Sequence, residues 1–272
     1  MINIICALDC EARVFIDFYK LKRVREHSLA IYENQVMRVL VSGIGHLAAA
    51  TTCAYAAALS AKASVYINIG SAGGKDFSIG DCFLIDKISS EIFVDDFYPV
   101  ISFSTGSRRA MLKSMDMPNA AYVAGGLQDM EAYGFYAAAR QFTTLELIQC
   151  IKVVSDTQAN ERDGLSKQFL QELLLSSFSE IRKIIQSLQQ LCAEYEIQIS
   201  EPQYLSLMLN QFKFSEAQKQ QLKRLLRGMN SQKKLSPILL EQLSGCGKAN
   251  DVLMVLAQKL ADQVLQLGQF DD

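Results

Sequence analysis

Across roughly the first two thirds of the chain, short apolar runs rich in β-branched residues alternate with stretches of helical character. No other feature narrows the fold as much. The runs are INIICAL from Ile2, VMRVLVSG from Val36, SVYINIG from Ser64, CFLIDKI from Cys82, AYVAGG from Ala121 and IQCIKVV from Ile148. Each has strand length, and several end in Gly or a small polar residue. Between them, helical patterns run from Glu11 to Leu21, His46 to Leu59, Asp129 to Arg140 and about Leu165 to Tyr195. Parallel neighbours need crossover connections, which helices supply. The order therefore predicts an α/β fold with a mostly parallel central sheet flanked by helices, whose ligand sits at the carboxyl ends of the strands.

The pattern changes after Ser200, where apolar residues fall at helical spacing and no strand-like run follows. Ser215 before EAQKQQLKRLLRG reads as an N-cap, an amphipathic helix and a Gly stop. Ser236-Pro237 reads as an N-cap with Pro at the first helical position, and Asn250 to Leu267 makes a last helix. Two domains are expected: 1–199 and a small all-α extension, 200–272. From Tyr195 onward 9 Lys and Arg face 8 Asp and Glu, so the KRLLR cluster reads as a solvated helix face.

Composition restricts function more than fold. With 50% hydrophobic and 21% charged residues and a net charge of −2, the chain has a substantial core and no global attraction for nucleic acid or other polyanions. Seven scattered cysteines (Cys6, Cys10, Cys53, Cys82, Cys150, Cys192, Cys246), without a CxxC pair, and two histidines, His27 and His46, argue against zinc and against a disulfide framework. The first ten residues, MINIICALDC, lack the basic segment of a secretory signal, and no run approaches the roughly 18 apolar residues of a membrane span. A soluble, cytoplasmic protein acting on a small molecule is expected.

Three loops at strand ends hold the chemistry: Ser42-Gly43-Ile44-Gly45, Asn68-Ile69-Gly70-Ser71-Ala72-Gly73-Gly74 and Ser155-Asp156-Thr157. Glu11 follows the first strand, and Glu131 opens a helix in QDMEAYGF. Glycines let backbone approach a ligand, and carboxylates beside them supply acid, base and hydroxyl-binding groups. Taken singly, each loop is also an ordinary turn, Glu11 an ordinary first-turn carboxylate and Met130 ordinary core. Neither GxGxxG nor a P-loop is present.

In combination and in order, ALDCE, SGIGHLAAA, NIGSAGG, IGDCFLID, DMEA and KVVSD resemble the motifs of the nucleoside phosphorylase superfamily. The likeness is strongest to its hydrolytic branch, the methylthioadenosine/S-adenosylhomocysteine nucleosidases, and covers residues 1–194. It implies that Glu11 activates the attacking water and that Ser71, Ala72 and Gly73 hold nucleophile and purine. It also implies that Met130 and Glu131 bind the ribose, that Asp156 protonates purine N7 with help from Ser155, and that His46 has no catalytic part. It implies a homodimer and calls for neither metal nor organic cofactor. The chemistry agrees with these roles, because an oxocarbenium-like transition state needs leaving-group protonation, charge tolerance at the sugar and a nucleophile opposite.

Two departures bear on the substrate. Where bacterial purine phosphorylases keep a phosphate-gripping Arg, this chain has Asn68, which favours water as nucleophile. The stretch before DMEA is shorter than in nucleosidases, leaving Phe97, Tyr98 and Phe103 as candidates to refill the pocket. The expected activity is hydrolysis of the N-glycosidic bond of an adenine nucleoside modified at its 5′ position. A phosphate-dependent purine phosphorylase and a nucleoside-binding or scaffold protein stand as alternatives.

Overall fold

In a computed structural model, the chain is described for all residues except 61–63, 105, 118–124, 158–164, 200, 233 and 262–272. It divides into two compact units, Met1–Ala193 and Glu194–Asp272.

The first unit is α/β. Its strands are β1 (Ile2–Cys6), β2 (Lys22–Val24), β3 (Ala30–Glu33), β4 (Met37–Val41), β5 (Val65–Gly74), β6 (Cys82–Ser90), β7 (Arg109–Ser114), β8 (Gly126–Asp129) and β9 (Ile148–Asp156). Its helices are α1 (Asp9–Tyr19), α2 (His46–Ala58), α3 (Ala132–Ala139), α4 (Lys167–Ser176) and most of α5 (Phe178–Ile199), within which the unit boundary falls. The strands form one sheet in the order β2-β3-β4-β1-β5-β8-β7-β6-β9, with β9 also paired to β5.

Four strands, β4-β1-β5-β9, lie side by side and parallel, as the alternation of elements predicts. The sheet as a whole is mixed. The β2-β3-β4 meander is antiparallel, and so are β5 with β8 and β6 with β9. The additional β5–β9 pairing closes β5-β8-β7-β6-β9 into a five-stranded ring. β1, β5 and β9 are mostly apolar and buried along nearly their whole length because both of their faces are covered. The main core lies where α2 and α3 meet the sheet, around Ile5, Leu40, Tyr66, Leu112, Phe135 and Val154.

The helical pattern read as one stretch from Leu165 is two helices separated at Ser177, whose hydroxyl donates to the Gly80 carbonyl. The AYVAGG run falls mostly outside the described residues; β8 begins at its last glycine.

The described part of the second unit contains α6 (Leu205–Gln211), α7 (Glu216–Ser231), α8 (Pro237–Ser244) and α9 (Ala249–Ala261). They share a core of their own, with Leu205, Met208, Leu222, Leu226, Leu243, Val252 and Leu256 buried together. Both N-caps read from sequence are in place: Ser215 Oγ accepts from Gln218 N, and Ser236 Oγ accepts from Leu239 N with Pro237 opening the helix. Gly228 is not a helix stop. It lies inside α7, where a Cβ would stand 3.1 Å from the Leu260 methyls, so its missing side chain is a packing feature. No described helix is long and apolar enough to cross a membrane.

Candidate active site

The four parallel strands end at one edge, and the segments leaving that edge carry most of the residues singled out from sequence. Glu11 sits in the first turn of α1, directly after β1, and is 1% exposed. Its two oxygens do different work. Oε2 accepts from the Leu8 backbone N–H at 3.1 Å, closing the amino end of α1, where a negative charge also suits the helix dipole. Oε1 accepts from both the backbone N–H (2.8 Å) and the hydroxyl (2.9 Å) of Ser71 on β5. Glycine at position 70 eases this approach, because a Cβ there would stand 3.0 Å from Oε1, closer than ordinary contact, and the carboxylate would have to give way. Glu11 is thus a first-turn carboxylate, but a buried one, with one oxygen on the helix end and the other on Ser71.

Ser71 is half-buried, and Ala72 and Gly73 are buried beside β9. The β5–β9 register slips between Ala72 and Gly73, so that Gly73 pairs with Asp156. The Ser155 hydroxyl lies 2.5 Å from Asp156 Oδ1 and 3.3 Å from the Ala72 carbonyl. Asp156 is half-buried at the last position of β9, accessible to a ligand and held by its neighbour.

Glu131 occupies the N-cap position of α3 and is buried, with Met130 half-buried beside it. Its Oε1 accepts from the Gly45 N–H at 2.9 Å, and its Oε2 from the Met130 N–H at 3.3 Å. Gly45 has φ +105°, a conformation open to glycine, which explains the second glycine of SGIG. Burial pushes the Glu131 carboxyl up to about 7, and the neighbouring Asp129 charge adds to the rise. Lys152 and the Gly45 N–H oppose it, and Glu11 adds a smaller push upward. Glu11, Asp129, Glu131 and Lys152 therefore share one electrostatic environment.

Sequence reasoning missed the buried framework beneath these groups. Lys152 Nζ and Asp129 Oδ2 form an ion pair at 2.8 Å with both side chains 1% exposed. Asp129 also accepts from Ser114 Oγ and from the Ala132 N–H, while Ser114 Oγ accepts from the Tyr133 N–H. The Lys152 ammonium is held well above its usual range by Asp129 and Glu131, which outweigh the opposing burial. The available signal was a lysine within an otherwise apolar strand.

Asn68 is 1% exposed, and its amide donates to the Ile5 carbonyl inside the sheet. Of the three aromatic candidates, Phe97 packs on Tyr133 and Tyr136 at 4.7 and 5.3 Å between ring centres, whereas Tyr98 is 62% exposed beside Lys87. Phe103 is half-buried, without a described ring contact. The aromatic that sequence analysis overlooked is Phe93, stacked on Tyr133 at 5.0 Å.

No model of a known protein family matches the chain, and no curated protein matches it. Solved structures do. The chain is similar to the 5′-methylthioadenosine/S-adenosylhomocysteine nucleosidase of Neisseria meningitidis in complex with methylthio-immucillin-A, at 19% identity and TM-score 0.56 over 68% of this chain and 98% of that one. It is also similar to the native futalosine hydrolase of Helicobacter pylori (15%, TM-score 0.56, 68% and 97% covered). A third is the 5′-methylthioadenosine nucleosidase of Arabidopsis thaliana (15%, TM-score 0.55, 69% and 95% covered). The chain has the fold of the nucleosidases.

Proposed function

We propose that the chain hydrolyses the N-glycosidic bond of an adenine nucleoside, adenosine with or without a substituent at its 5′ carbon, releasing adenine and the free sugar. The observation that supports this most is the convergence of three carboxylates on one edge of the nucleosidase fold: Glu11 against Ser71, Glu131 against Gly45 and Asp156 opposite Gly73.

In this reading Asp156, steadied by Ser155, gives its proton to purine N7. The electron pair of the C1′–N9 bond goes to the base, which leaves neutral. Glu131 accepts hydrogen bonds from the 2′ and 3′ hydroxyls and tolerates positive charge on the sugar. Water beside Ser71 adds its oxygen to C1′ and passes a proton to Glu11, from which solvent returns the balance to Asp156. Met130 lies against the sugar, and Ala72 and Gly73 line the base. Asn68, tied into the sheet, offers no fixed cation to phosphate, which favours hydrolysis over phosphorolysis.

A cytoplasmic homodimer belongs to the same reading. Its support is the burial of Cys6, Cys10, Cys53, Cys82 and Cys150 as thiols in the core and the exposure of Ile44, Leu47, Phe93 and Val94, with Leu47 at 84% and Val94 at 97%. Light scattering that returns a monomer mass would remove the dimer.

The activity is tested with a panel of adenosine, methylthioadenosine and inosine, with and without phosphate, by chromatography of free base. Phosphate-independent release of adenine is expected, with inosine far slower. Release only with phosphate would make the chain a phosphorylase, and binding without release would leave a binding protein.

A further inference from the structure

The structure holds a histidine that the mechanism above does not use. His46, the first residue of α2, is 9% exposed, and neither ring nitrogen meets a hydrogen-bond partner among the described residues. A buried polar group without a partner is costly, and native chains keep few of them.

His46 is also held firmly in place. Its ring stands edge-on to Phe93 (6.2 Å, 82°) and to Tyr133 (6.1 Å, 87°), two rings that stack on each other. Its main chain presses on α3 where only glycine fits, since a Cβ on Gly134 would lie 2.2 Å from the His46 carbonyl oxygen. A side chain so fixed, with its hydrogen-bonding capacity unspent, fits the pattern of a preorganised ligand contact.

Its position says which part of a ligand it would meet. The preceding residue, Gly45, donates to Glu131, and Tyr133 follows Glu131 by two residues, so the imidazole adjoins the sugar-binding carboxylate. The base-binding Asp156 ends β9, whereas α2 follows β4. These strands are the two ends of the run β4-β1-β5-β9, three strand spacings or roughly 14 Å apart. A nucleoside laid along this edge with its base at β9 brings the far end of its sugar toward α2. With the 2′ and 3′ hydroxyls on Glu131, the sugar hydroxyl left over is the 5′.

We propose that His46 is a specificity-determining residue that exchanges hydrogen bonds with a hydroxyl at the 5′ end of the nucleoside. This assignment rests on the nucleoside-hydrolase reading of the site. A neutral imidazole has one donor and one acceptor, and a hydroxyl can satisfy either; a thioether sulfur is a weak acceptor only. Among 5′-substituted adenosines, those whose 5′ group can hydrogen-bond are favoured over plain alkylthio forms, which leave the imidazole unpaired. Sites built to bind a hydroxyl discriminate strongly against ligands lacking it.

The test compares kcat/KM for adenine release from adenosine and from 5′-deoxyadenosine, using the full chain as wild type, His46→Phe and His46→Gln. Wild type should prefer adenosine by roughly 10- to 100-fold. His46→Phe should treat both alike to within about threefold, and His46→Gln should retain part of the preference. Equal use of both by wild type, or an undiminished preference in His46→Phe, overturns the proposal. If wild type releases adenine from neither of these nor from methylthioadenosine, the hydrolase reading falls. His46 is then judged by thermal stabilisation with the same two nucleosides. A larger shift with adenosine in wild type that vanishes in His46→Phe sustains the contact, and equal shifts in wild type refute it.

Discussion

Glu131 makes the protein's stability depend on pH in a direction opposite to that of most carboxylates. Its carboxyl is pushed from an ordinary value of 4.5 up to about 7, by burial first and by Asp129 second. Below pH 4.5 the group is protonated in both folded and unfolded chains and has no effect. Between 4.5 and 7 the unfolded chain releases the proton while the folded chain keeps it, so stability falls as pH rises; above 7 the loss is complete and constant. The gap amounts to about 3 kcal/mol. Glu131→Gln cannot titrate. Relative to wild type it should therefore gain about 3 kcal/mol between pH 4.5 and 7.5, equivalent to a relative shift of roughly 1–3 M in the urea midpoint. The assay is urea unfolding at half-unit pH intervals, followed by far-ultraviolet circular dichroism. Taking the difference between the two proteins cancels the titrating groups remote from Glu131 and any constant cost of the amide. A difference that stays flat within about 0.5 kcal/mol across this window would refute the reasoning.

Three further substitutions test the framework. Gly70→Ala places a Cβ 3.0 Å from Glu11 Oε1, so it should lower adenine release at least roughly tenfold and stability by about 1–3 kcal/mol; a fully active variant would deny the close approach a role. Lys152→Met strands the buried Asp129 carboxylate and should cost about 3–5 kcal/mol, whereas the double variant with Asp129→Asn should recover more than half; additive losses in urea melts would contradict a tight pair. Glu11→Gln should lower kcat by about 100-fold or more with KM little changed, and steady-state kinetics showing the reverse would move Glu11 from chemistry to binding.

The parallel strands were legible because burial on both faces leaves unbroken apolar runs, as in Ile148 to Val154 apart from Gln149 and Lys152. The β2–β3 hairpin was not. Lys22 and Arg23 face solvent on an edge strand, and nothing in three residues announces a pairing. β7 hid behind exposed Arg109 and Met111. Closure of the ring rests on Cys82–Leu84 meeting Ile151–Val153 across some seventy residues, a partnership that local pattern does not encode. Carboxylates after strand ends were readable as candidates because glycine-rich turns stood beside them. The Lys152–Asp129 pair and the slot around His46 depend on which elements tertiary packing brings together, so they emerged only in three dimensions.

In the proposed reaction Asp156 protonates a departing adenine at this edge of the sheet. Single-turnover release of adenine from adenosine, measured for wild type and Asp156→Asn at saturating enzyme, tests it most directly. Wild type should release adenine rapidly and Asp156→Asn slower by three or more powers of ten, roughly the reach of a general acid, with nucleoside still bound. Release by Asp156→Asn at a rate close to wild type, or binding by wild type without release, would contradict this role.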